Sequence, residues 1–284
     1  MIQLSIITVN LNNKSGLEKT IQSVSQQNYK DYEHIIIDAG STDGSLKIIE
    51  DKKNLFSYWV SEPDRGIYHG MNKGINKASG KYILFLNSGD YLLSKDALSI
   101  DFKTITQDIV YGHLTHNNNN VLNTSAYKDN IDLGFFFVST LPHGSTFIKR
   151  ELFLNYGLYK TDYIIVSDWI FFLERIVIDS CSTFNLNKAV SVFTVGGIST
   201  RPENKELVKQ ERVRYLNTIM PSFVQAYIQS TIIRERNSKQ LEFKNKALQS
   251  SLIADIDNLK RLKGMKILKQ LNNLIDFCYK RISR

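Results

Sequence analysis

The stretch Tyr82–Asp90, YILFLNSGD, joins a short apolar run to a polar turn that ends on one aspartate. A strand that is apolar on both faces belongs in the middle of a parallel sheet, because helices cover both faces there. Asn, Ser, Gly and Asp are residues that turns use, so an ordinary turn is one interpretation of NSGD. The stretch therefore predicts a buried parallel strand and raises the question of what a lone carboxylate does at its end.

Strand and helix patterns alternate upstream of this stretch. The alternation predicts a doubly wound α/β fold with right-handed crossovers, in which a mainly parallel sheet lies between helices. The predicted elements are a strand at Leu4–Val9, a helix opened by a capping box at Ser15 and Glu18, a strand at His34–Asp38, a helix at Ser45–Lys53, a strand at Phe56–Val60 and a helix at Tyr68–Ala78.

The pattern loosens downstream of NSGD. We predict strands at Ile109–Tyr111 and Phe147–Ile148, a polar loop tip at THNNNN (Thr115–Asn120), and a mixed sheet with an antiparallel edge. From about Asn204 the chain is charged and helical in pattern, with no further strand predicted. We expect one domain over residues 1–200 and a basic helical extension over residues 201–284.

The excess of basic over acidic residues is confined to that extension. The net charge of the 284 residues is +8, but residues 201–284 hold 18 Lys and Arg against 8 Asp and Glu, whereas the first 200 residues hold 18 against 20. Such a tail suits nucleic acid or an anionic membrane surface. No stretch reaches the roughly 18 apolar residues of a membrane span. With no basic leader and two distant cysteines, we expect a cytoplasmic protein in a reducing compartment.

Acidic residues follow three of the predicted parallel strands. Asp38 closes the second strand, Asp64 follows the third, and the turn Asn87–Asp90 follows the fourth. In an open parallel sheet, ligands bind outside the carboxyl ends of the strands. We therefore expect these acidic groups to converge on one ligand-binding cleft.

Four segments together resemble one enzyme family. They are SIITVNLNN, IIIDAGSTDGS, SEPDRGIYHGMNKGINKASGKYILFLNSGD and VSDWIFFLERI. In this order they resemble family 2 glycosyltransferases of the GT-A fold, most of all the bacterial enzymes that build capsule, O-antigen or exopolysaccharide repeat units. The resemblance covers roughly the first 200 residues. It implies a GT-A-like, mixed and mainly parallel sheet sandwiched by helices, with a C-terminal helical extension outside the match.

The resemblance assigns two residues to the nucleotide of the donor, and a neighbouring arginine suits its phosphates. Asp38 matches the base-contacting aspartate of the family; a carboxylate only accepts hydrogen bonds, which suits uracil or thymine and can suit guanine. Asp64 matches a second nucleotide-contacting aspartate, and the neighbouring Arg65 can pair with a phosphate. The alternatives stay open: Asp38 as the cap of its turn, Asp64 in a plain Pro-Asp turn, and Arg65 in an ion pair with Glu62.

The turn Asn87–Asp90 matches the place of the family's Asp-x-Asp metal motif. Mn²⁺ and Mg²⁺ bind oxygen ligands and let donor phosphates complete the coordination, so Asp90 alone can start a metal site. Asn87 and Gly89 stand where acids are frequent in the family, which lowers the fixed negative charge. Asn87 or Ser88 can instead contact the ribose of the donor.

Asp168, in VSDWIFFLERI, matches the catalytic base of the family. Its role would be to take the proton of the acceptor hydroxyl as the oxygen attacks the anomeric carbon. The alternative is an N-cap of a helix that runs to Ile178. His143, in LPHGSTFIKR, aligns with a histidine of this subgroup and is a candidate contact of the acceptor or the diphosphate, with a purely structural role as the alternative.

The implied activity is that of an inverting, metal-assisted hexosyl- or N-acetylhexosaminyltransferase of surface polysaccharide synthesis. The donor would be a nucleotide diphosphate sugar, with UDP favoured, and the acceptor a saccharide or a lipid-linked saccharide. A nucleotide- or nucleic-acid-binding module without catalysis is the competing interpretation. The tail lacks the aromatic and arginine pattern of an RNA-binding motif, so nucleic acid is not the expected partner.

The end of the chain carries an amphipathic pattern. Such a stripe packs on the catalytic domain, joins two copies in a homo-oligomer, or lies peripherally on the inner face of an anionic membrane. From Gly264 onward the apolar residues at helical spacing are Ile267, Leu268, Leu271, Leu274, Ile275 and Cys278, and the basic flanks are Lys266, Lys269, Lys280, Arg281 and Arg284.

Overall fold

The computed structural model describes residues 2–118, 121–194 and 196–219, and within this part the strands form one mixed sheet. The strands are β1 (Leu4–Asn10), β2 (Tyr32–Asp38), β3 (Tyr58–Ser61), β4 (Tyr82–Phe85), β5 (Tyr91–Leu92), β6 (Ile109–Asn118), β7 (Val121–Ser125), β8 (Thr146–Lys149) and β9 (Thr183–Thr194). The helices are α1 (Lys14–Ser25), α2 (Ser45–Asp51), α3 (Ile67–Lys77), α4 (Leu133–Val138), α5 (Arg150–Tyr156), α6 (Ser167–Phe172) and α7 (Lys205–Ile219).

One half of the sheet is parallel, with the strand order β3-β2-β1-β4. Asn10 pairs with Asp38, and Asp38 pairs with Ser61 on the next strand. Because these strands run in one direction, the residues that follow them lie at one edge of the sheet. The predicted alternation of strands and helices over this half is confirmed, with boundaries shifted by one or two residues.

Strand β4 is buried on both faces, as its apolar run predicts. Ile83 and Phe85 lie in the same apolar cluster as Met71 of α3. Tyr82 and Leu84 lie in a second cluster on the opposite face. Burial at about 25 cal/mol per Å² of apolar area makes these two layers the main stabilising contribution to this half of the fold.

The other half of the sheet is mixed, as predicted. Strand β5 forms the far edge and pairs antiparallel with β9, while β8 is antiparallel between β4 and β6 inside the sheet. Strand β6 runs to Asn118, so the predicted loop tip is wrong over Thr115–Asn118. The sequence reading missed β9, which pairs with β6 through register shifts near Gly112.

Two predicted helix starts are wrong. Helix α1 is capped by Asn13, whose side chain accepts from the Gly16 N–H at 3.2 Å, and not by a capping box at Ser15. Helix α6 begins at Ser167 after Val166, and Asp168 lies in its first turn. The N-cap alternative for Asp168 is therefore excluded, because its side chain is engaged elsewhere, as described below.

Helix α7 packs on the rest of the domain. Its Tyr215 and Leu216 are buried in the large apolar cluster that also contains Trp169. The domain boundary at residue 200 stays a prediction, and the amphipathic segment from Gly264 lies outside the described residues. Over the described ranges, no helix combines the length and apolar character that crossing a membrane requires.

Candidate active site

The NSGD turn is shaped by a glycine and by a threonine of α1. Gly89 has φ +104°, a conformation that L side chains rarely adopt. The Asp90 N–H donates to the Asn87 carbonyl at 2.9 Å, and the Gly89 N–H donates to the buried Thr20 hydroxyl at 3.0 Å. The Thr20 hydroxyl also lies 2.6 Å from the Asp90 carbonyl oxygen. These contacts fix the direction in which the Asp90 side chain leaves the sheet edge.

The Asp90 carboxylate accepts few hydrogen bonds within the described residues. Its Oδ1 accepts from the Thr194 N–H at 3.1 Å, and the Thr194 hydroxyl donates to the Gly89 carbonyl at 2.7 Å. Burial raises the pKa of Asp90 to about 7, although the Thr194 N–H acts in the opposite direction. A nearby cation would favour the ionised carboxylate, because opposite charge offsets the cost of burial.

The surroundings of Asp90 fit a divalent cation that is held largely by a ligand. Over the described ranges, no cluster of three or more His, Cys, Asp or Glu side chains forms a complete metal site. However, Asn87 Oδ1 is buried without a hydrogen-bond partner in that same part of the chain. A carboxylate and an amide oxygen are ligands that Mg²⁺ and Mn²⁺ accept, with phosphate oxygens supplying most of the others.

Asp38 is buried at the end of β2, and its carboxylate is already fully hydrogen-bonded. It accepts from Asn10 Nδ2 at 2.6 Å, from the Ser41 hydroxyl and N–H at 2.6 and 2.9 Å, and from the Ser61 hydroxyl at 2.6 Å. Burial pushes the pKa of Asp38 upward, but the bonds from Ser41, Ser61 and Asn10 outweigh it and hold the pKa below its usual value. Asp38 thus ties three strand ends together, and any contact with a base requires one of these bonds to yield.

Asp64 and Arg65 lie in the turn before α3. Asp64 Oδ1 accepts from the Gly66 N–H at 2.9 Å, which is the plain turn contact weighed above, and the side chain is partly exposed. Glu62 pairs with Lys73 at 2.8 Å, so the predicted alternative of a Glu62–Arg65 ion pair is wrong. Arg65 is exposed, and its guanidinium has no protein partner in the described part of the chain.

Asp168 is held by a tyrosine from α3. The Tyr68 hydroxyl lies 2.8 Å from Asp168 Oδ1 and 2.5 Å from the Ile165 carbonyl oxygen. Burial, reinforced by the Asp168 charge, raises the pKa of Tyr68 well above its usual range, so the hydroxyl stays a donor. The Asp168 side chain keeps 19% of its surface exposed, so a ligand can reach the carboxylate.

His143 lies beside Asp168, and its surroundings lower its pKa. Burial lowers the pKa of His143, and the Asp168 charge offsets only part of that effect. Tyr159 Oη is 2.9 Å from Nε2, and burial raises the pKa of Tyr159 well above its usual range. Tyr159 and His143 Nε2 thus share a hydrogen bond, while Nδ1 of the same ring lies 3.8 Å from Asp168 Oδ2.

The structure brings together Asp168 and His143, which are predicted separately from sequence. Phe85 is the last residue of β4, and the centre of its ring lies 4.6 Å from the centre of the His143 ring. This contact packs the pair against the parallel half of the sheet. Ser88 is held by Asn13, whose Nδ2 donates to its carbonyl at 2.9 Å. Sequence reasoning missed Tyr68 and Thr20, and the only local signal for either was a position on a helix face.

A family model, Glycosyl transferase family 2, matches residues 5–172. The chain is 29% identical over 219 residues to a PGL/p-HBAD biosynthesis glycosyltransferase of Mycobacterium tuberculosis (strain ATCC 25177 / H37Ra), and the match covers 72% of this chain and 82% of that protein. The family match covers β2, β3 and β4 and all but the first residue of β1.

Solved structures share the fold at low identity. TarS 1-349 of S. aureus, solved in complex with UDP, has a TM-score of 0.57 at 19% identity, and the match covers 68% of this chain and 60% of that one. The complex of the same protein with UDP-GlcNAc has a TM-score of 0.60 at 16% identity, and the match covers 90% of this chain and 81% of that one. A mannosyltransferase from Pyrobaculum calidifontis, solved with GDP-Man and Mn²⁺, has a TM-score of 0.52 at 14% identity, covering 98% of this chain and 80% of that one. The predicted GT-A-like sheet is confirmed.

Proposed function

The chain belongs to glycosyltransferase family 2, and from this premise we propose the reaction that it catalyses. It transfers a hexosyl or N-acetylhexosaminyl group from a nucleotide diphosphate sugar, with UDP preferred, to a saccharide or lipid-linked saccharide. The anomeric configuration is inverted, and the product enters a surface polysaccharide or glycolipid.

The geometry of Asp168 carries this proposal. Oδ1 is occupied by the Tyr68 hydroxyl, whereas the contact of Oδ2 within the described residues is His143 Nδ1 at 3.8 Å, which is too long for a good hydrogen bond. Oδ2 can therefore accept the proton of an acceptor hydroxyl. As that oxygen bonds to the anomeric carbon, the bond from this carbon to the diphosphate breaks, and attack from the opposite face inverts the centre.

The donor would lie across the carboxyl edge of the parallel strands. Asp64 and Arg65 flank this edge on one side, and Asn87 and Ser88 flank it on the other. Arg65 is free to pair with a phosphate, and Ser88 can reach the ribose. Asp38 would hold Asn10 and Ser41 in place beside the site of the nucleotide base. More specifically, we propose that Asp38 itself contacts the base. The UDP complexes of TarS support a uridine donor for a chain of this fold.

Asp90, with Asn87 Oδ1, would hold Mn²⁺ or Mg²⁺. When bound, such a cation supplies positive charge that stabilises the leaving diphosphate. The contribution of this chain is to present a single half-buried carboxylate in a fixed direction, set by Gly89 and Thr20. The Mn²⁺ complex of the Pyrobaculum enzyme supports a metal-assisted reaction.

Exposed apolar side chains close to the catalytic segment support an acceptor with an apolar part. Ile164, four residues before Asp168, keeps 55% of its surface exposed, and Val138 at the end of α4 keeps 79%. The Trp169 Nε1–H donates to the Phe136 carbonyl at 2.9 Å, which places the end of α4 against the first turn of α6. An acceptor carried on a lipid would place apolar surface beside these residues. A cytoplasmic location at the inner face of a membrane follows from that acceptor and stays a prediction.

The proposal is tested by a donor screen. The purified protein is incubated with UDP-, GDP- and dTDP-sugars and Mn²⁺, and release of the nucleoside diphosphate is measured with and without candidate acceptors. We expect release from one class of donor, and NMR of the product should show the inverted anomeric configuration. Failure to turn over any donor, combined with a nucleic-acid shift in electrophoresis, would favour the non-catalytic binding module instead.

A further inference from the structure

We infer that Glu211 of α7 is a positioning residue for the proposed base Asp168, an inference that rests on the proposed function. Helix α7 lies beyond residue 172, where the family match ends. Nevertheless, one of its carboxylates is 6% exposed and points into the segment that leads to Asp168.

The Glu211 carboxylate collects three consecutive backbone donors. Oε1 accepts from the Ile164 N–H at 2.6 Å, and Oε2 accepts from the Ile165 and Val166 N–H groups at 2.9 and 3.3 Å. Helix α6 begins at the very next residue, Ser167, and has no side-chain cap of its own. These three N–H groups belong to the segment that enters α6 and to its N-cap residue, so the carboxylate anchors the chain just before the helix rather than capping its first turn.

Ile165 is fixed from both sides of its backbone. Its N–H is bound by Glu211, and its carbonyl lies 2.5 Å from the same Tyr68 hydroxyl that contacts Asp168 Oδ1. A shift of this segment would thus alter the Tyr68 contact as well as the direction of the Asp168 side chain. Because transfer requires Oδ2 to meet the acceptor hydroxyl closely, a small displacement lowers the rate without removing any group that touches substrate.

Other contacts of α7 reinforce this docking. The Arg214 guanidinium donates to the Asp162 carbonyl at 2.7 Å and lies 3.9 Å from the centre of the Tyr163 ring. The Arg212 guanidinium lies 4.9 Å from the centre of the Trp169 ring. Helix α7 therefore contacts the chain both before and after the three residues that bind Glu211. Loss of the carboxylate alone should for this reason leave α7 in place.

Glu33 provides a matched control. It is also 6% exposed and also accepts from consecutive backbone N–H groups, Ser79 at 2.6 Å and Gly80 at 3.2 Å. It lies near the start of β2, at the opposite edge of the sheet from Asp168. Glu211→Gln and Glu33→Gln each place an amide against backbone donors, so both should lower the melting temperature.

Steady-state kinetics on the full chain separate a positioning role from a structural one. We expect Glu211→Gln to lower kcat by about 10- to 100-fold with donor affinity unchanged, whereas Glu33→Gln keeps the wild-type kcat below its melting temperature. If Glu211→Gln does not fold, Glu211→Asp carries the test with a smaller expected loss. Wild-type kcat in the folded Glu211 variant, or an equal loss in Glu33→Gln, would overturn the inference.

A double variant distinguishes this inference from the proposed function itself. In an Asp168→Asn background, Glu211→Gln should remove nothing further from the residual rate, because Glu211 acts through Asp168. An equal further loss would show that Glu211 acts independently of the base. Full transfer in Asp168→Asn alone would refute the proposed function, whereas loss in Asp168→Asn with a silent Glu211→Gln would refute only the positioning role.

Discussion

The hydroxyl of Tyr68 lies 2.8 Å from Oδ1 of Asp168, although 100 residues separate the two in sequence. This contact joins α3, which connects β3 to β4 along the chain, to α6, which precedes β9. One carboxylate oxygen is thereby fixed, and the other is left for a substrate. We therefore propose that Tyr68 contributes to catalysis by holding Asp168, a role that its place on a helix face did not indicate.

Replacing Tyr68 with Phe should lower transfer by about tenfold to a hundredfold, because Asp168 loses its only close side-chain donor within the described residues. The Ile165 carbonyl also loses a partner, at a cost of about 1–3 kcal/mol of folding free energy. Steady-state kinetics and thermal unfolding measure the two effects. Tyr82→Phe is the matched control, since that buried hydroxyl donates to the Gln107 carbonyl away from the site. A kcat equal to that of the wild type would show that the contact between Tyr68 and Asp168 does not matter for transfer.

Asp90→Ala should abolish transfer, and excess EDTA should do the same to the wild-type protein. The reason is that Asp90 is the carboxylate of the NSGD turn and the proposed ligand of the cation that offsets the diphosphate charge. Titration calorimetry with Mn²⁺ and UDP should show metal-dependent binding that Asp90→Ala loses and that the exposed-site variant Asp51→Ala retains. Full activity in EDTA would contradict a metal-assisted reaction.

His34 should make the protein less stable below pH 6.5. Burial lowers the pKa of His34 from 6.5 to about 3. Between these two pH values, His34 therefore binds a proton in the unfolded chain but not in the native state. The free energy of unfolding should therefore fall as the pH drops from 6.5 towards 3, by up to about 1.4 kcal/mol per pH unit.

Urea unfolding of the wild type and of His34→Gln between pH 7 and pH 4.5 measures this effect. The variant keeps a polar group near Thr8, whose hydroxyl lies 3.0 Å from His34 Nε2. The variant should show a shallower dependence on pH, while His143 contributes equally to both proteins. Identical slopes would show that His34 does not carry the acid sensitivity.

The C-terminal segment should bind anionic membranes through charge. The five basic residues named above from Lys266 to Arg284 lie outside the described residues, and each contributes about 1 kcal/mol at an anionic surface. The full chain should sediment with anionic liposomes and be released by high salt, whereas a variant with those five residues changed to Gln should stay in solution. Equal sedimentation of both proteins would favour packing within the protein or a homo-oligomer.

A shortened chain is a poor control in that experiment if it ends near residue 200, because it would also lack Glu211. Truncation after residue 219 preserves the contacts of α7 with the catalytic segment. A shortened chain for this experiment should therefore end after residue 219.

The parallel half of the fold was predictable because each strand is a short apolar run bounded by turn residues. Strand β9 was not, since polar Asn185, Asn187 and Lys188 interrupt it, and Asn187 adopts φ +51° where the pairing with β6 shifts register. A bulge of this kind breaks the two-residue alternation on which strand prediction depends.

The candidate site was predictable only where a motif marks a residue. Asp90, Asp168 and His143 carry motif signals, whereas Tyr68 and Glu211 act through contacts that span 45 to 100 residues of sequence. Glu211 lies in a charged helix whose pattern differs little from a solvated surface. Such residues become visible only when the fold shows which backbone donors they satisfy.

The central claim, that Asp168 is the base, is tested most directly by comparing donor binding and transfer in Asp168→Asn. The amide cannot take up the proton, so transfer should fall by roughly 10²- to 10⁴-fold while calorimetry shows donor affinity within about twofold of the wild type. Asp162→Asn, at an exposed carboxylate nearby, should behave as the wild type. Loss of donor binding together with transfer, or transfer at the wild-type rate, would contradict the assignment.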